Sequence, residues 1–366
     1  MSGPLPILSR CVPMKRLIAY KKKWDDEGVV STVGTIMALL VFLTFLSMIV
    51  NSYVPVWMKD SESSHMNVAY GQFGDLKQSI DTQMLFARMS DIAGQAFTAT
   101  TIFSPVTLGV DGVPIFSAPT IGELTADQAK GPWNAWFKYY PNKVVNTTQV
   151  VNETAAGAIR LEVFNRYFIQ QSLVYENGAV IKYQSDGMVL RAQPTFEVRL
   201  LNNTEEITVV MLSLIGFGSQ RGTTTEGVHS KVVSVSMDEY KRVHTDIYIN
   251  HTSQFGLAWW AFYNATIAKA FGITPDKYAS CTAEPTGYCY TVQKQAPWGI
   301  KNQMIRSPYF KLTIALNTTS LEYVLTLRLK NDYLNQYINM PIIKTFRIMK
   351  VIVNVAVGGI GAQVNI

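Results

Sequence analysis

Hydrophobic and polar positions along this chain follow three successive patterns. From Val29 to Val50 apolar residues run without a charge, and 13 of them are Leu, Ile, Val or Phe. Coiled as a helix at about 1.5 Å per residue the run is about 33 Å long, enough to cross a bilayer core of about 30 Å. A second pattern follows at period seven. Met66, Phe73 and Ile80, with Ala69 and Leu76 between them, lay one apolar stripe along an expected helix of about six turns, and Asn67, Gln72, Asp75, Lys77, Gln78 and Asp81 occupy its other faces. Such a stripe needs a partner in water, either its own domain or another copy of the chain, and the heptads are too few for a free coiled coil. Tyr53 and Trp57 stand where aromatic side chains meet headgroups, with Pro55 between them as an expected kink or break.

Beyond about Thr100 the period shortens to two. Leu173 to Glu176 and Ala179 to Tyr183 flank Asn177-Gly178, the pair that supplies two positive-φ positions to a hairpin turn. Asp186-Gly187 repeats that punctuation. Phe196 to Leu200 and Ile207 to Ile215 predict a second hairpin, and Lys231 to Met237, Asp246 to Asn250, Tyr309 to Leu316, Leu321 to Leu329 and Thr345 to Val355 predict further strands. Phe255 to Phe271 predicts a helix, with Thr252 or Ser253 as N-cap and Gly272 as terminator. The expected fold class is α+β: one N-terminal transmembrane helix continuing into an amphipathic helix, then a large β-rich, sandwich-like ectodomain with one inserted helix. The expected divisions are a basic tail over 1–28, a span over 29–50, a juxtamembrane stalk over 51–99, and two parts of the ectodomain over 100–250 and 251–366.

Charge orients this scheme. Arg10, Lys15, Arg16, Lys21, Lys22 and Lys23 precede the span, whereas Lys59 stands against Asp60 and Glu62 after it. By the positive-inside rule the N-terminus stays in the cytoplasm and the C-terminal domain is extracellular. The apolar run exceeds the h-region of a signal peptide, about 7 to 15 residues, and no Ala-x-Ala site follows it. The lipid bilayer is thus the first expected partner. Ser31-x-x-x-Thr35 and Gly34-x-x-x-Ala38 add a small-residue stripe that permits close approach of a second membrane helix.

Two further features fit an exported domain. Sequons at Asn146, Asn152, Asn202, Asn250, Asn264 and Asn317 all follow the span and are expected to face solvent as glycosylation sites. Cys281 and Cys289 enclose a short, turn-rich loop, and Cys11 lies in the tail. The pair is either a disulfide or two free thiols, since no His or further Cys stands at zinc spacing. The disulfide is the expectation, contributing about 2.5 kcal/mol by closing so small a loop.

Catalytic signatures are missing. None of His65, His229, His244 and His251 pair at helical metal spacing, and neither Gly-x-Ser-x-Gly nor a Gly-rich loop ending in Lys-Ser/Thr occurs. Gly216-Phe217-Gly218-Ser219 lacks the third glycine of a dinucleotide site and reads as a glycine-bearing turn. Trp259-Trp260 with Phe255, Phe262 and Tyr263 could be a carbohydrate-stacking platform, but aromatics at helical spacing are more often core. The net charge of +6 forms no patch with interleaved aromatics outside the tail, so nucleic acid is not an expected partner. No enzyme activity, catalytic residue, cofactor or metal is expected.

The segment Glu27-Gly-Val-Val-Ser-Thr-Val-Gly-Thr-Ile-Met-Ala-Leu-Leu-Val-Phe resembles the N-terminus of archaeal type IV pilin-like proteins, in which a glycine precedes a long apolar helix. The succession of a membrane helix and a β-rich, often glycosylated head is also similar to that family. The resemblance implies processing between Gly28 and Val29, and a role as a minor pilin or cell-envelope component whose partners are copies of itself or other envelope proteins. A different class of function, a tethered binding or adhesion module that recognises a glycan or an envelope protein, fits the same layout.

Overall fold

The computed structural model of the chain describes residues 26–139, 149–201, 204–241, 243, 245–271, 289–295, 299–306, 310–331 and 342–358. It divides into two compact units between Tyr53 and Val54. The first holds α1 (Asp26–Met48), closed by a π-helical turn over Ile49–Tyr53. Among the described residues one helical stretch is long and apolar enough to cross a membrane; it starts at Ser31, and its most apolar 18-residue window has a mean hydropathy of 2.5 with nothing buried. Two hydroxyls of α1 turn back on their own helix. Thr35 Oγ1 donates to the Thr32 carbonyl at 2.9 Å and Thr44 Oγ1 to that of Val41 at 2.7 Å, which spares these hydroxyls an unmet donor in an apolar surround.

The second unit opens with α2 (Val54–Ile92). Pro55 stands directly after the π-helical turn Ile49–Tyr53, so the irregularity expected at this proline is a local change of helical hydrogen bonding. Its buried face runs Val54, Met58, Glu62, Met66, Ala69, Phe73, Leu76, Ile80, Met84 and Ala87, a spacing of three and four throughout. The stripe thus begins twelve residues before Met66, because Glu62 interrupts it with a carboxylate. That carboxylate is fully buried and accepts four hydrogen bonds: from the Thr120 hydroxyl, and from the backbone N–H groups of Arg166, Tyr167 and Phe168 at 3.0, 2.9 and 2.6 Å. Gln83, also buried, reaches the N–H of Val232 at 3.1 Å.

Three sheets form the rest. The first has the order β1 (Ile102–Thr107), β12 (Thr225–Lys241), β18 (Ile342–Gly358), β10 (Thr204–Ile215), β9 (Phe196–Leu201). The second runs β11 (Phe217–Gly222), β2 (Gly122–Asp127), β5 (Ala158–Val163), β6 (Gln171–Glu176), β7 (Ala179–Gln184), β8 (Gly187–Ala192). The third runs β14 (Cys289–Gln295), β15 (Gly299–Arg306), β16 (Phe310–Asn317), β17 (Glu322–Leu329), β13 (Ile247–Ser253), β3 (Trp133–Tyr139), β4 (Gln149–Ala155). Asn177 and Gly178, at φ of 46° and 79°, close the β6–β7 hairpin as the type I′ signature requires. β9 and β10 form the second expected hairpin. β3 lies between β4 and β13, and the other neighbour of β13 is β17, so the third sheet draws strands from both sides of residue 250.

The chain is therefore α+β, a long apolar N-terminal helix followed by a large β-rich domain of several sheets. Period two places the two cores. In β10, Ile207, Val209 and Met211 face one core while Val210, Leu212 and Leu214 face the other; in β6 and β7 the same holds for Val174 and Ile181 against Leu173 and Val180. The first core lies against the third sheet and α3 (Gly256–Ala270), the second against α2. The α3 N-cap is Phe255 rather than Thr252 or Ser253; the Ser253 hydroxyl instead accepts from the Phe255 N–H at 3.0 Å. Gly272 lies outside the described residues.

One carboxyl stands out against this packing. Glu205, beside the bulge that shifts β10 against β18, is fully buried, and neither of its oxygens has a hydrogen-bond partner. Burial pushes its pKa up to about 8. The folded state holds this proton more tightly than the unfolded chain, so the stabilisation is complete below the ordinary glutamate value of 4.5, falls as pH rises from there to about 8, and then levels off. Glu205→Gln is expected to leave the melting temperature at pH 4 nearly unchanged and to raise stability at pH 8 by several kcal/mol. Thermal unfolding of both proteins across that range checks this, and parallel pH profiles would refute it.

Phe73 supplies a second test, because its ring is wholly buried in the core beneath α2 while Gln78 is exposed. Phe73→Asp is expected to cost at least about 3 to 5 kcal/mol and to open α2 to limited proteolysis, whereas Gln78→Asp leaves the digestion pattern unchanged. Equal resistance of both variants would show that the stripe is not a packing surface.

Candidate functional site

Register across the second sheet assembles a site that no single stretch of sequence displays. Phe217, Asp127, Ala158 and Glu176 stand opposite one another on β11, β2, β5 and β6, and two residues along each strand Ser219, Thr125, Arg160 and Val174 make the next row. All eight side chains share one face of the sheet. They line a cavity of about 680 Å³, completed by Lys130 and Gly131 from the turn after β2, Gln254 and Phe255 before α3, and Glu322 at the start of β17. That volume lies within the range of small-molecule sites, about 300 to 1,000 Å³.

A buried polar cluster fixes one wall. Glu176 Oε1 accepts from Trp259 Nε1 at 2.8 Å and lies 3.1 Å from His251 Nε2. The His251 ring meets Trp259 edge-on, with centroids 4.4 Å apart. Donation from Nε2 requires a proton on that nitrogen, and the buried Nδ1 has no partner. Gly131, at φ +59°, packs so closely on Glu176 that a Cβ would lie 2.5 Å from its carboxyl carbon. These bonds tie β6, β13 and α3 together.

The open part of the cavity carries the polar groups available to a ligand. Lys130 Nζ lies 3.7 Å from Glu322 Oε1. Asp127 Oδ1 accepts from the Ala129 N–H at 2.8 Å. Arg160 donates toward Glu162 at 3.1 Å, and its buried Nε has no partner. Ser219 Oγ donates to Glu123 at 3.1 Å. These groups can bind and orient a polar molecule. Among the described residues no group of three or more His, Cys, Asp or Glu is placed to hold a metal ion.

The aromatic run of α3 is core. Trp259 and Tyr263 are inaccessible, and Phe255, Trp260 and Phe262 are buried, so the stacking-platform reading of Trp259-Trp260 does not hold. The cavity's rim aromatic is Phe217 instead, in the stretch read as a glycine-bearing turn. Sequence reasoning missed it because a single Phe between glycines has no period, and the residues that line the cavity with it come from β2, β5, β6, β17 and the segments after β2 and before α3.

The sequons scatter over the unit. Asn152 on β4 and Asn317 at the end of β16 are exposed, while Asn250 and Asn264 are half-buried. Asn317 Oδ1 accepts from the Thr319 N–H at 3.0 Å, and Asn250 Oδ1 from the Thr326 hydroxyl at 3.0 Å. Asn146 and Asn202 lie outside the described residues. So does Cys281, and of Cys289 only its place at the start of β14 is described, so the expected disulfide is left as an expectation. Gly28 and Val29 lie in the first turns of α1.

Glycopeptide mapping of the native protein is expected to find glycans on Asn152 and Asn317, each removed by its Asn→Gln change without loss of stability. Both sites bare while Asn250 or Asn264 is occupied would overturn that expectation.

No protein-family model, curated protein or solved structure matches this chain.

Proposed function

We propose that this chain is a single-pass, membrane-anchored surface protein of type IV pilin-like design, with its N-terminus cytoplasmic and a glycosylated β-rich head displayed outside. The observation that carries the reading is the amphipathic helix α2. Its inner face is buried from its first residues, Val54 and Met58, onward. A tether that only held a soluble domain near a bilayer would need no such helix. In a pilin-like protein a helix leads into the head, and here Glu62 and the Met66-Phe73-Ile80 stripe fix α2 to the sheets. The distal part of α2 also keeps Leu85, Phe86, Met89 and Ile92 on its surface, an apolar strip suited to a neighbouring copy in an assembly. A cavity in the head supports a second reading, that of a binding module.

Intact-mass and N-terminal analysis of the protein from its native membrane tests the proposal. The mature chain is expected to begin at Val29 and to fractionate with the membrane, and protease added to intact cells should reach the head. A chain that retains residues 1–28 would reject pilin-type processing and leave the anchor. A head recovered free of membrane would reject the whole reading.

A further inference from the structure

Gly216-Phe217-Gly218 has a particular role in the fold. Gly216 has φ +139°, and a Cβ there would lie 2.0 Å from the Val355 carbonyl oxygen; one on Gly218 would lie 3.3 Å from Val357. At both glycines the backbone is pressed against β18, so the side chain between them is turned to the opposite face, the face of the cavity. Phe217 is 80% exposed there, and Asp127 stands directly opposite it in the β2–β11 register. A Phe left in water forgoes about 1.5 to 3 kcal/mol of burial. Two glycines that hold such a ring out at the mouth of a cavity leave it for a ligand to cover.

We propose that this cavity binds a neutral saccharide, with one pyranose ring stacked on Phe217 and its hydroxyls directed at Asp127, Arg160 and Gln254. The face of an aromatic ring carries negative charge density and attracts the weakly positive C–H face of a pyranose. Adjacent hydroxyls of a sugar both donate and accept, and the groups around the ring match that need. Asp127 has one oxygen committed to Ala129 and presents a second acceptor beside Phe217; the exposed Gln254 amide offers both roles; and the partly exposed Arg160 guanidinium adds donors. Charge argues for a neutral ligand. Asp127, Glu176 and Glu322 mix with Lys130 and Arg160 around the wall, and Lys130 already faces Glu322, so no field of one sign draws in an anion or a cation. This inference requires neither membrane anchoring nor assembly, and its failure would leave the anchored reading standing.

Saturation-transfer NMR on the full chain tests the proposal. The protein is made without N-glycans and held in nanodiscs, because sugar-headed detergents would compete. The probes are glucose, galactose, mannose, N-acetylglucosamine and their disaccharides. At least one is expected to receive saturation and to titrate with a dissociation constant on the order of millimolar. Phe217→Ala, a change at an exposed ring, should weaken it about tenfold or more, and Gln254→Ala by a smaller factor, whereas Phe217→Trp retains binding and Phe86→Ala on α2 has no effect. If no probe responds at about 10 mM, or if Phe217→Ala binds as the parent does, the assignment is wrong. Unchanged thermal unfolding of Phe217→Ala separates lost stacking from lost fold.

Discussion

The second unit depends on the burial of one face of α2 in the β-rich domain, and the most demanding contact there is the Glu62 carboxylate. An ionisable group with no exposed surface is tolerated only where its oxygens are met by donors. Thr120 and the three successive N–H groups of Arg166, Tyr167 and Phe168 meet them. The contact therefore specifies register as well as attachment. Sliding α2 by one turn would leave the carboxylate without donors and three backbone amides without an acceptor, an error that displaced Leu or Met residues in the same stripe would not incur to the same degree.

With α2 fixed, the first and second sheets have a core on each face, and this decides where a ligand site can lie. Strands in the middle of such a sandwiched layer carry apolar residues on successive positions, as β6 does from Leu173 to Tyr175, every one buried. The polar positions of this face lie toward β2 and β11, at one edge of the sheet. Thr125, Asp127 and Ser219 take the inward positions there in place of Val and Ile. The Glu176–His251–Trp259 cluster marks the seam between the open part and the packed part. It is a polar network with its carboxylate oxygen paired to two donors, and it joins strands of two sheets to a helix.

The glycines of the site act by the same geometry. Gly131 lets a turn lie directly on the Glu176 carboxyl, and Gly216 and Gly218 let β11 lie directly on β18. In each case a Cβ would separate elements whose contact shapes the cavity.

Local periodicity by itself determined part of the elements, while β1 to β5 and β11 are not among the strands predicted from it. Thirteen large apolar residues without a charge dictate α1, the three-four spacing through Phe73 dictates the buried face of α2, and Asn177-Gly178 dictates the β6–β7 hairpin, since each signal arises between residues that are neighbours in sequence. Only the tertiary structure decided what these elements meet. β18 inserts between β10 and β12, parallel to one and antiparallel to the other, although more than a hundred residues separate it from both. Pairing over that distance leaves no local trace, because any apolar strand of suitable length satisfies the same backbone hydrogen bonds. Glu62 enters the sequence only as a charge after the span, and Phe217 reads as part of a turn. Their roles come from donors and glycine contacts supplied by segments far along the chain, and only folding brings those segments together.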